Sequence, residues 1–191
     1  MSSTRRRIQL AVAVVLGLAA GLMVVRLLGS MDSDATAAST TTIEDRWIDA
    51  HGAPIDNEVR TPLIRMVFPS GPVTATMSEV KGQPTTDWQM SSPSQVLTVR
   101  LIDAGAPVTS TDVDREASAV IEALGEKHVS TSRIAVDGQR GVLVVGKQSD
   151  AYVFQVIVGG GAALVDFISV DDKPEVPASL RSLLESVDFA A

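Results

Sequence analysis

There is no cysteine among the 191 residues of this chain. That removes disulfides, thiolate metal sites, a cysteine nucleophile and the lipid-bearing cysteine of a bacterial lipoprotein. A folded part lying outside the cytoplasm must then stand on its hydrophobic core alone. Histidine is nearly absent: His51 and His128 are the only imidazoles. Basic residues are scarce beyond the N-terminus. Residues 1–30 hold four arginines and no acid, which leaves 12 basic against 23 acidic side chains and a net charge of −11 for everything after them. Phosphate binding needs clustered lysine and arginine, so no nucleic-acid partner is expected. The same charge disfavours a domain lying flat on an anionic membrane surface.

What the chain does have is one long apolar run. Residues 8–25 carry no charge, and Leu27 and Leu28 extend them past Arg26, whose stem can carry its charge to the head groups. At about 1.5 Å per residue the run spans roughly 27–31 Å, the thickness of a bilayer's hydrocarbon core. Arg5, Arg6 and Arg7 precede it, and positive flanks stay in the cytoplasm, so the chain after Leu28 is expected outside. A cleaved signal peptide is the alternative. Ala35-Thr36-Ala37 has the small-residue spacing of a cleavage site, and Thr4-Arg5-Arg6-Arg7-Ile8-Gln9-Leu10 resembles a twin-arginine signal. The run exceeds the roughly 7–15 residues of a signal's apolar region, and Ala37 lies far past its end, which favours an uncleaved anchor. The expected organisation is a basic tip and transmembrane helix at 1–28, a disordered Ser/Asp/Ala/Thr linker at 29–42 and one extracytoplasmic domain at 43–191.

Within that domain, alternation and turn signals place strands at 63–68, 73–80, 95–103, 133–136, 140–147, 151–158 and 162–170. Asp137-Gly138 between apolar runs signals a hairpin. A helix is expected at 111–124, where Val113, Ala117, Val120, Ile121 and Leu124 form one stripe, Ser110 or Thr111 can cap the start and Gly125 the end. A second helix begins near Pro177, with Leu180, Leu183, Leu184 and Val187 at helical spacing. Residues 43–50 read as a short helix or edge segment. Residues 142–145 and 153–158 are apolar on nearly both faces, so their strands belong mid-sheet with cover on both sides. The class is α+β, an antiparallel sheet with one helix inserted midway and one closing the chain. Its expected core contains Phe68, Leu97, Val120, Phe154, Phe167 and Leu183.

Residues 81–93 are polar and turn-rich, and read as a loop. Trp88 and Met90 within it are the candidate partner-binding residues, because an exposed aromatic anchor is the usual hot-spot chemistry of interfaces. The alternative is that both cover the sheet as core. The other motifs fail on context. Gly141 to Gln148 fits a phosphate loop at seven of eight positions, yet Gln148 stands where a magnesium-binding hydroxyl belongs and the segment is itself a strand. Gly159-Gly160-Gly161 lacks the third glycine of a dinucleotide fingerprint and reads as a hairpin tip. Asp112, Asp114 and Glu116 begin like a calcium loop, but Ala117 and Ala123 replace its glycine and bidentate glutamate, and acids at a helix start explain them better. Asp171, Asp172 and Glu175 also precede a helix. Ser78-Glu79-Val80-Lys81 matches the S-x-x-K of penicillin-recognising enzymes, and Ser149-Asp150-Ala151 is one residue from their second motif, but the first ends a strand where a helix is needed. No catalytic, cofactor or metal residue is assigned.

The order of elements, with Met66-Val67-Phe68-Pro69 ending an early strand, Val136-Asp137-Gly138 at a hairpin, valine-rich central strands and a closing Leu183-Leu184-Glu185-Ser186-Val187-Asp188-Phe189, resembles the PsbP-like fold, including the LpqN-type envelope proteins of actinobacteria. The resemblance covers residues 60–190 and implies an α/β/α sandwich, with helices on both faces of the sheet, that docks protein partners in a supporting role. It departs from the lipoprotein members in lacking their cysteine and carries no active-site residue to a position here. The function expected is a membrane-anchored, non-catalytic binding or adaptor domain for a protein or envelope ligand. A serine hydrolase using one histidine, and a structural spacer, are the alternatives.

Overall fold

Valine, isoleucine and threonine alternate along most of the chain's second half, and each such stretch becomes a strand because branched side chains pack well on a pleated surface. The computed structural model describes residues 57–70, 73–80, 82–91 and 96–190. The expected anchor, linker and 43–50 segment lie outside them, as does His51. Among the described residues no helix is long and apolar enough to cross a membrane.

The larger sheet has seven antiparallel strands. A first meander is formed by β3 (Val73–Val80), β4 (Gln83–Ser91) and β5 (Val96–Asp103), and a second by β6 (His128–Val136), β7 (Gln139–Gln148), β8 (Ala151–Gly160) and β9 (Ala163–Asp171). The two join where β5 pairs with β9, giving the order β3-β4-β5-β9-β8-β7-β6. The expected hairpin is present: Asp137 and Gly138 take φ of 48° and 72°, the left-handed pair that matches the twist of the flanking strands. Asp137 has a second task, its Oδ2 accepting from the Phe189 N–H at 2.8 Å.

Helix α1 (Ser110–Leu124) crosses one face of this sheet on its way from β5 to the far edge. Its stripe, with Val113, Ala117 and Val120 buried, packs on Val142, Val144 and Ile157 of β7 and β8. The cap is Thr109, one residue before the expected position, in a reciprocal capping box with Asp112. Gly125 ends the helix at φ 52°.

The opposite face overturns the expected α/β/α sandwich. It is covered by a second antiparallel sheet, β1 (Glu58–Arg60), β2 (Ile64–Val67) and β10 (Asp188–Phe189), together with the eight-residue helix α2 (Ala178–Glu185). Helices therefore do not layer both faces. The physical reason is that β1 and β2 alternate, Val59, Ile64 and Met66 pointing inward with Arg60, Arg65 and Val67 outward, so the strand expected at 63–68 joins a second sheet and supplies apolar cover where the sandwich places a helix. Leu180 and Leu183 complete that layer, each contributing about 2 kcal/mol by leaving water. Ser186 ties it together, its Oγ accepting from the Val67 N–H at 2.9 Å.

All six expected core residues are buried, but they belong to two cores rather than one. Val120 lies under α1, and Phe68, Leu97, Phe154, Phe167 and Leu183 lie beneath the small sheet. The adjacent pair Gly159 and Gly160 shows how close the layers come. A methyl on Gly159 would overlap Val108 on the α1 side, and one on Gly160 would overlap the Phe189 ring on the other. The glycines thus lie mostly inside β8 as approach points, with Gly161 alone at the turn.

Candidate functional site

The register of the seven strands brings seven side chains into one row on the α1 face: Thr76, Asp87, Arg100, Asp166, Ile157, Val142 and Arg133. Ile157 and Val142 are its apolar members and lie under α1; Asp87, Arg100, Asp166 and Arg133 are charged. Arg133, at the far end, donates from both Nη atoms to Asp114 and so moors one flank of the helix to the sheet edge. The opposite flank carries Glu116, whose charge is felt by both Arg100 and Asp166.

Arg100 and Asp87 form a forked pair, Nε to Oδ1 at 2.8 Å and Nη2 to Oδ2 at 3.0 Å. Their side chains are 13% and 24% exposed, so the pair is shielded enough to be worth more than a surface bridge. The hydrogen bond from Asp87 and its charge hold the Arg100 guanidinium firmly protonated, against the effect of burial.

Asp166 is the unusual member. It is 8% exposed, its Oδ2 accepts from Gln155 Nε2 at 3.1 Å, and its Oδ1 has no hydrogen-bond partner among the described residues. Burial pushes its carboxyl up to about 7, with the charge of Glu116 adding and that of Arg100 and the Gln155 hydrogen bond opposing. A carboxyl in this position is neutral in mild acid and charged in mild base. The arrangement sets a carboxyl that can hold or release a proton beside a forked ion pair.

The sequence-derived candidates fall elsewhere. Residues 83–91, expected as loop, form β4, and Trp88 and Met90 point into the core at 0% and 1% exposure. This is the core placement that the sequence held open; neither side chain contributes to the row, and the docking face proposed below does not use them. Gly141 to Gln148 lies within β7, as expected. His128 sits on the edge strand β6 with Nε2 at 2.7 Å from Thr131 Oγ1. Ser78 is an exposed residue of β3, and Ser149 and Asp150 make the turn from β7 to β8. Asp112 accepts from the Thr109 N–H at 2.9 Å in the capping box of α1, while Asp171 Oδ1 accepts from the Lys173 N–H at 3.1 Å. Among the described residues no group of three or more potential ligands is placed to hold a metal.

Sequence reading missed Asp87, Arg100, Gln155, Asp166 and Glu116. The one local signal was an acid and an arginine each flanked by apolar residues within a strand, at Val165-Asp166-Phe167 and Val99-Arg100-Leu101. Comparison of the chain with protein-family models, with curated proteins and with solved structures finds no match.

Proposed function

We propose that this chain is a single-pass membrane protein whose folded part lies outside the cytoplasm and docks a protein partner, without catalysis, in support of a cell-envelope assembly. The observation that carries the reading is the division of the α1 face. Helix α1 packs on β7 and β8, while β3 and β4 present Thr74, Thr76 and Ser78 exposed, with Asp87 and Gln89 partly exposed beside them. A flat strand face of hydroxyl, amide and carboxylate groups is suited to hydrogen bonding across an interface. The acidic balance of the chain beyond its first 30 residues favours a partner surface rich in lysine or arginine. The anchor reading rests on residues 8–25 and the arginines before them.

Two experiments test it. A photo-crosslinking side chain at Thr76 in intact membranes should give one discrete adduct, which Asp87→Lys in the same chain should abolish. The same probe at Arg140, an exposed residue of β7, should give none. Equal crosslinking at both positions would discard the docking face. For the topology, protease added to wall-less cells should strip the folded part and leave a short membrane-bound fragment. A protected domain, with exterior control proteins cut, would place it in the cytoplasm.

A further inference from the structure

We propose that Arg100 is a two-position switch: it holds Asp87 while Asp166 carries a proton, and passes to Asp166 when that proton is lost. The row across the sheet makes Arg100 the immediate neighbour of both carboxyls, Asp87 on β4 and Asp166 on β9. Its Nε and Nη2 are both given to Asp87, so this side-on fork can grip only one of the two acids at a time. Asp166 is left with the Gln155 amide and with an Oδ1 that has no partner in a buried position.

Such an atom is tolerable on a neutral carboxyl and costly on a charged one, because burial strips a carboxylate of water without replacing it. Once charged, Asp166 has one cation within reach among the described residues, Arg100. The groups that face it from each packed element are Arg100 from β5, Gln155 from β8, Glu116 from α1 and, beyond Arg100, Asp87 from β4. Glu116 and Asp87 are both acids and repel the new charge. Among the described residues Arg100 is the group that can compensate it, and Asp87 is more exposed than Asp166, hence the one that water can take over. The raised titration of Asp166 puts the exchange in a mild range, near neutrality.

The exchange changes what the open half of the face offers. With Asp166 protonated, Asp87 is neutralised by Arg100; with Asp166 ionised, Asp87 stands as a free carboxylate beside Thr76 and Gln89. This consequence rests on the docking reading above, whereas the switch itself does not require a partner.

The test follows the two side chains separately in the full-length chain held in detergent micelles. Asp166 is observed through its carboxyl carbon and Arg100 through its Nε–H, by NMR from pH 5 to 8.5, with Arg100→Lys and Asp166→Asn assigning the signals. Both should move with a common midpoint near pH 7. In Asp166→Asn the Arg100 signal should stay at its low-pH position throughout, and in Asp87→Asn it should lose its transition while Asp166 still titrates, at lower pH. An Arg100 signal that is flat through the Asp166 titration, or an Asp166 already ionised at pH 5, overturns the proposal. The wild-type titration alone decides the matter should a variant fail to fold. Loss or gain of partner crosslinking at Thr76 then reports on docking independently of these signals.

Discussion

Arg100 grips Asp87 through both arms of its guanidinium, at 2.8 and 3.0 Å, although Asp166 is its neighbour on the other side in the same row. The unequal sharing has a thermodynamic signature. The Asp166 carboxyl stands at about 7 in the folded chain against an ordinary 3.8, so the native state binds a proton that the unfolded state has released. A raised folded value means stability that is fully present below pH 3.8 and lost as pH rises through 7. At about 1.4 kcal/mol per unit the window is worth on the order of 4 kcal/mol. The urea midpoint should therefore fall between pH 5 and pH 8 in the wild type. In Asp166→Asn, which has no proton to lose, most of that fall should disappear.

Removing the shared cation gives a second prediction. Arg100→Met leaves Asp87 and Asp166 without their compensating charge, and breaking a shielded pair from one side costs about 3 kcal/mol. The same change should drive the Asp166 titration still higher, since Arg100 is the charge that lowers it. Denaturant unfolding at pH 5 measures the first effect, and carboxyl-carbon NMR the second. An unmoved Asp166 midpoint would mean that the two groups do not sense each other.

At the start of α1 the sign is opposite. The hydrogen bonds from the Thr109 side chain and backbone, with Arg115 beyond them, hold the Asp112 carboxyl down to about 2. A lowered folded value gives stability that is present above pH 3.8 and lost as pH falls toward 2. Thr109→Ala removes the cap and should cost about 1 kcal/mol at neutral pH. Acid unfolding of the variant should also be less steep below pH 4, which a titration followed by circular dichroism would reveal.

The Phe189 ring packs so close to Gly160 that a methyl there would overlap it. Gly160→Ala should destabilise by about 1–3 kcal/mol through overpacking. Because the clash is with one ring, Phe189→Ala should relieve it, so the double variant should be less destabilised than the sum of the two single ones. Strict additivity in thermal unfolding would show that the ring moves aside without cost.

Local pattern sufficed for β2, β3, β5, β7, β8, β9 and both helices, each within a residue or two of its expected bounds. Of β6 only 133–136 was read, because toward His128 the residues Val129, Ser130, Thr131 and Ser132 carry no clear alternation on an edge strand that is wet on most sides. β4 was hidden for a different reason. Pro84 and a run of threonine, aspartate and glutamine look like a loop, and only the spacing of Thr86, Trp88 and Met90 betrays a strand with one apolar and one polar face. Of the second sheet only β2 was legible, as the strand expected at 63–68; β1 and β10 have three and two residues, too few to show a period. The charged row was out of reach altogether. Arg100 meets Asp166 only through the β5–β9 pairing, and register between strands far apart in sequence is set by packing, not by any local motif.

That pairing has a kinetic consequence. Within the seven-stranded sheet every strand lies beside a neighbour in sequence except at the β5–β9 junction, where residues 104–162 intervene. Each meander can zip from its own hairpins, so joining them is the step that must close a long loop before any contact rewards it. The ladder from Val96 to Asp103 against Ala163 to Val170 is thus the place where folding speed is decided. Val99→Ala, facing Phe167 across it, should slow refolding, while Val144→Ala on the β7–β8 hairpin should act mainly by hastening unfolding. Chevron plots of the two variants would separate these limbs, and equal slowing of refolding in both would move the bottleneck out of the junction and into the hairpins.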